Sequence, residues 1–153
     1  MFIAQPLRRL FPTAVVLAAI CFGQPFGTWK LKAARSTFAG DIRPKSLTVR
    51  IEPRASGEVV TVYRTEVNGQ STSVSTILYF DGTARSLENA GCSGSQASRR
   101  LNERSVEILR QCTSGDWERV VRRLTQQGKE LVVEITRQRS GRRSEERLVL
   151  EKQ

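Results

Sequence analysis

The sequence predicts an all-β chain, folded as a single antiparallel up-and-down β-barrel of about eight to ten strands. Two observations carry this. Apolar and polar residues alternate with a period of two, beginning with Trp29 and Leu31 against Thr28 and Lys30, as strands with one buried face require. Turn signals then follow the strand candidates: Asn68-Gly69, Asp81-Gly82, Thr113-Ser114-Gly115, Gln126-Gln127-Gly128 and Ser140-Gly141, at the intervals of about 8 to 12 residues typical of sandwiches and barrels. A closed barrel is preferred because closure leaves no long edge exposed to a neighbouring chain. At 153 residues the chain accommodates one domain, and a domain near this length buries roughly two thirds of its unfolded surface.

The first two dozen residues read as an address. Arg8 and Arg9 precede a thirteen-residue apolar run at 10–22, and small Gly23 offers a cleavage point, the order of a secretory signal peptide at 1–23. The run is shorter than the roughly 20 residues of a membrane-spanning helix. Ile20 stands before Cys21, where a lipid-attachment site wants a small residue. The mature domain is therefore expected at 24–153, in a periplasm or outside the cell. Losing Arg8 and Arg9 takes the net charge from +10 to +8.

In the mature chain, Gly27-Thr28-Trp29-Lys30-Leu31 opens the first strand and aims Trp29 inward. Residues 33–44 form a connector. Leu47, Val49 and Ile51 alternate with Thr48, Arg50 and Glu52, and Pro53 is expected to stop that strand. Residues 58–67 place Val60 and Val62 on one face and Val59, Tyr63 and Val67 on the other; residues 71–80 return after the Asn68-Gly69 hairpin. Residues 83–87 make a short strand at best. Leu101, Ser105, Ile108, Leu109 and Cys112 also sit at helical spacing, so a basic amphipathic helix competes there with a hairpin. The regular turns downstream favour strands, with Leu131, Val133 and Ile135 alternating cleanly, and Leu148 and Leu150 inward in the last strand.

Cysteine usage agrees with export. Once the leader takes Cys21, Cys92 and Cys112 remain, and an oxidising compartment closes such a pair. In a hairpin turning at Asn102-Glu103, facing residue numbers sum to about 205, and these two sum to 204, so a disulfide is expected to pin the Gly/Ser-rich stretch 91–95 to the next strand.

The segments Gly27-Thr28-Trp29-Lys30-Leu31, Ala34-Arg35-Ser36-Thr37-Phe38, Pro44-Lys45-Ser46, Phe80-Asp81-Gly82 and Glu151-Lys152-Gln153 together resemble small secreted bacterial proteins of lipocalin-like, calycin type whose function is largely uncharacterised. Agreement is weakest between Leu87 and Ala97. The resemblance implies a lipocalin-like antiparallel barrel, leaves open whether it holds a cavity, and implies no reaction. It also implies a structural site in which an arginine of a late strand covers Trp29: Arg147, or alternatively Arg137. The second lipocalin motif, of Thr-Asp-Tyr type, is missing.

Catalysis is not expected. The chain has no histidine, which removes His-dependent triads and most zinc sites. No Gly-x-Ser-x-Gly marks a nucleophile, the glycines near Cys92 lack the Lys-Ser/Thr of a phosphate loop, and adjacent Glu145 and Glu146 point to opposite faces of a strand. No cofactor or metal is expected. Arginine supplies most of the basic excess, lying either on a solvated outer face or turned into a cavity against an anion, as in fatty-acid-binding relatives of the resembled type. Tyr79, Trp117 and Arg137 are the candidate ligand-binding residues. Small or polar Thr72, Ser73, Ser75 and Thr76 among the candidate inward positions suggest an open interior. The expected function is a monomeric, non-catalytic barrel binding a small amphipathic or anionic ligand. The rival is a solid-cored envelope protein acting on anionic surfaces or polymers through its arginines, and a nucleic-acid-binding module is the remote alternative, which export disfavours.

Overall fold

A computed structural model describes residues 24–40, 43–89 and 92–153; the expected leader and Gly91 lie outside them. Ten strands follow one another: β1 (Gly27–Leu31), β2 (Ser46–Arg54), β3 (Gly57–Thr65), β4 (Ser71–Leu78), β5 (Arg85–Asn89), β6 (Cys92–Asn102), β7 (Ser105–Cys112), β8 (Trp117–Leu124), β9 (Glu130–Arg139) and β10 (Arg142–Lys152). All pair antiparallel in one curled sheet of order β4-β3-β2-β1-β10-β9-β8-β7-β6-β5. Consecutive strands pair except β4 with β5, and β1 joins β10 through Trp29 opposite Lys152 and Leu31 opposite Leu150.

Closure by a full ladder, which the sequence predicts, does not occur: β4 and β5 are the sheet's two edges. The seam is tied at one end by β6, where Gln96 Nε2 donates to the Ile77 carbonyl at 3.3 Å and the Gly82 N–H to the Ser98 carbonyl at 2.9 Å. Five-residue β5 is too short to meet the whole of β4.

Alternation sets the interior. Trp29, Leu47, Ile51, Leu124, Leu131, Leu148 and Leu150 form one buried cluster, and Leu78, Ile108 and Val120 a second; Val60, Val133 and Ile135 pack against both. Trp29 is fully buried, and its indole N–H donates to the Pro25 carbonyl at 2.7 Å. The connector after β1 is more ordered than the sequence suggests. A 3-10 turn at Ala33–Arg35 bulges away from β10, and Thr37 then rejoins the strand opposite Arg147.

Three local expectations change. Pro53 does not end β2; it pairs with Glu58, one step from the tight Arg54-to-Gly57 turn. The β1 ladder ends at Ile51, so the donor that proline lacks points where no strand receives it. Ser73 and Ser75 face outward, the Ser75 hydroxyl lying 2.8 Å from that of Thr61, whereas Thr72, Val74 and Thr76 face the interior. The Gly/Ser-rich stretch is the start of strand β6 rather than a loop. Gly94 sits opposite Cys112, where an added Cβ would collide with the Gln111 carbonyl, so glycine permits a close strand approach. The hairpin turns at Glu103-Arg104, one residue on from the expected place. Cys92 and Cys112 are nonetheless diagonal neighbours with Cα atoms 5.1 Å apart, and they form a disulfide. By loop-closure entropy, a crosslink spanning 20 residues contributes on the order of 3 kcal/mol through the unfolded state. The helical alternative for β6 and β7 fails because Leu101 and Leu109 lie exposed on the outer face while Val106 and Ile108 are buried.

On that outer face Glu107 is only 3% exposed. Arg99 Nε donates to one carboxylate oxygen at 2.6 Å and Arg119 Nε to the other at 2.7 Å. Burial alone would raise the carboxyl's pKa, but the two guanidinium bonds outweigh it and hold the pKa below its ordinary 4.5. A group depressed in the folded state contributes stability above its unfolded pKa and loses it as pH falls through the folded value. Glu107→Gln is therefore expected to destabilise the protein at about pH 7 and to differ little from the parent at about pH 2. Urea titrations across that range check this; an equal deficit at both ends would place the effect in packing instead.

Candidate functional site

Inside the barrel lies a cavity of about 320 Å³, at the small end of ligand pockets. Its walls are mostly aliphatic, with Val49, Val60, Val62, Val133, Ile135 and Leu148 among them. One end is charged, because the inward positions nearest the β7–β8 and β9–β10 turns carry ionic side chains. Arg110, Glu118 and Arg137 sit directly across from one another on β7, β8 and β9, and Glu146 of β10 is diagonal to Arg137.

These four side chains alternate in sign and are linked. Arg110 Nη1 donates to Glu118 Oε1 at 2.5 Å, Arg137 Nε approaches Glu118 Oε2 at 3.1 Å, and Arg137 Nη1 reaches Glu146 Oε1 at 3.4 Å. Arg110 Nε also donates to Gln96 Oε1 at 2.9 Å. Since Gln96 donates in turn to the Ile77 carbonyl, the polar chain runs from β10 round to β4 and crosses the open seam. Arg64 lines the same end and holds Glu66 at 2.5 Å. At the opposite end Arg122 forms an ion pair with Glu58 across the interior, from β8 to β3, both almost fully buried.

The sequence-predicted ligand residues separate. Arg137 lines the cavity. Tyr79 lies outside it, in a groove at the β4–β5 seam, with the Arg85 guanidinium 4.0 Å from its ring centroid. Asp81 fixes that guanidinium with bonds of 2.6 and 2.8 Å, and the hydrogen bond from Arg85 holds the Asp81 carboxyl well below the usual carboxylate range. Trp117 is half-buried on the outer face between Gln111 and Gln138. The cation over Trp29 is neither Arg147 nor Arg137. Arg147 is exposed on the outside opposite Glu134, while Lys152 Nζ stands 5.4 Å from the Trp29 ring centroid.

Arg110, Glu118 and Glu146 escape a sequence reading. Their alternating signs become meaningful only when the β7–β8 and β9–β10 turns fix the register. Among the described residues, no group of three or more His, Cys, Asp or Glu could hold a metal ion.

No protein-family model matches this chain, and none of the curated proteins does. Among solved structures it is similar to a Schistosoma mansoni fatty acid binding protein in complex with arachidonic acid, with a TM-score of 0.59, 10% identity, and coverage of 86% of this chain and 98% of that one. At that identity the likeness is one of fold: an antiparallel up-and-down barrel compatible with the lipocalin-like resemblance.

Proposed function

We propose that this protein is a non-catalytic carrier that holds one small amphipathic molecule, its tail against the aliphatic walls and its head at the Arg110–Glu118–Arg137–Glu146 ladder. The observation that carries this is a cavity of about 320 Å³ that is apolar along its walls and ionic at one end. Amphiphiles suit such a site because apolar burial supplies affinity and a few placed polar groups supply orientation. The structural neighbour's bound arachidonic acid supports the same class of ligand. The order of Arg8-Arg9, an apolar run and Gly23 supports export to a periplasm or the medium.

The rival reading, a basic outer face acting on anionic surfaces, has less support. Arg50, Arg99, Arg119 and Arg143 on that face already hold Glu52, Glu107 and Glu145. Native mass spectrometry of protein from its own host, followed by displacement of a fluorescent lipid, tests the carrier reading. Val62→Trp, which fills the cavity, is expected to weaken displacement by at least about tenfold, or about 1.4 kcal/mol. A barrel that displaces nothing, yet binds anionic vesicles with steep salt dependence, would transfer the function to the outer face.

A further inference from the structure

The cavity's arginines are all engaged. Four of them line it: Arg64, Arg110, Arg122 and Arg137. Four carboxylates answer them: Glu66 on Arg64, Glu58 on Arg122, Glu118 between Arg110 and Arg137, and Glu146 on Arg137. Each cavity-lining arginine thus faces at least one carboxylate, although the protein as a whole is strongly basic.

That balance bears on which head group fits. A free carboxylate entering the ladder would leave water and meet Glu118 and Glu146, whose side chains are only 16% and 14% exposed. To bind either guanidinium of the ladder it must compete with Glu118 and Glu146, and a like charge set beside those partly buried carboxylates, or displacing one of them from its arginine, is costly. An uncharged head with several hydroxyl or amide groups meets no such opposition. It donates to carboxylate oxygens and accepts from guanidinium N–H groups while every ion pair stays intact.

We infer that the cavity selects a single-chain amphiphile with an uncharged, hydrogen-bonding head group, such as a monoacylglycerol, over the corresponding free fatty acid. This rests on the carrier reading above. The test is displacement of the neutral dye Nile red from the full mature protein by 1-monolauroylglycerol and by lauric acid, which share one acyl chain, at a pH where the acid is ionised. The glyceride is expected to act at an at least about tenfold lower concentration, equivalent to about 1.4 kcal/mol. Glu146→Gln, which releases a single contact on Arg137, is expected to improve lauric acid several-fold and so to narrow or reverse the preference for the glyceride. Glu118→Gln is expected to shift the preference in the same direction.

A parent protein that prefers lauric acid would overturn the inference while leaving the carrier reading standing, as would a folded Glu146→Gln variant whose lauric acid affinity does not rise. Failure of both ligands to displace dye, with native mass spectrometry also showing neither bound, would remove the carrier reading and the inference together.

Discussion

Arg122→Ala is expected to lower the unfolding free energy by about 3–5 kcal/mol, because it leaves the Glu58 carboxylate buried without its counter-charge. Glu58 is 1% exposed and Arg122 6%. Both side chains are nearly excluded from solvent, so bulk water screens the charges little. Neither Glu58 oxygen receives a well-aligned hydrogen bond among the described residues, so the attraction is chiefly ionic and no other group would substitute for the guanidinium. The double variant Glu58→Leu with Arg122→Met should recover most of the loss, since replacing both charges by apolar groups of similar size is often neutral or stabilising. A double-mutant cycle by urea denaturation measures the coupling. Two single losses that simply add in the double variant would mean that the pair contributes nothing beyond the packing of each side chain.

Trp29→Ala is expected to cost a similar amount, about 3–5 kcal/mol, as large-to-small changes at well-packed aromatic positions do. Trp29 has no exposed surface, lies opposite both Val49 and Lys152, and so packs where β2, β1 and β10 come together. Trp29→Phe should lose less, retaining much of the apolar area while giving up the 2.7 Å bond to Pro25. Equilibrium denaturation of the three proteins decides it. A loss under about 1 kcal/mol for alanine would show that the neighbouring leucines collapse into the space and that the ring is not a plug.

Much of the fold is legible in the sequence because a half-buried strand must alternate. Leu47-Val49-Ile51, Val60-Val62 and Leu131-Val133-Ile135 each declare one inner face, and Asn68-Gly69 and Asp81-Gly82 mark turns whose glycines adopt positive φ. The seam is not legible, since whether β4 and β5 pair depends on strand length and on β6 reaching past β5, neither of which is a local signal. The site is legible in part. Arg137 lines the cavity, whereas its partners require the register of successive hairpins. The resemblance places Arg147 over Trp29, but with Leu148 and Leu150 inward strict alternation sends Arg147 outward and leaves Lys152 as the inward cation of the same strand.

The pairing of the first strand with the last also bears on folding kinetics. Every other ladder joins consecutive strands and can form as a local hairpin, but Trp29 must find Lys152 across nearly the whole chain. This one loop closure raises the contact order of an otherwise sequential meander. The start of the barrel's first strand and the finish of its last already meet, with the Gln153 N–H donating to the Thr28 carbonyl at 3.0 Å. A circular permutant that links them and opens the chain between Thr83 and Ala84, at the seam, would make every ladder sequential, running β5 to β10 and then β1 to β4. It is expected to refold faster than the parent at similar stability in stopped-flow experiments. An unchanged rate would place the limiting step within one of the hairpins rather than in the joining of the ends.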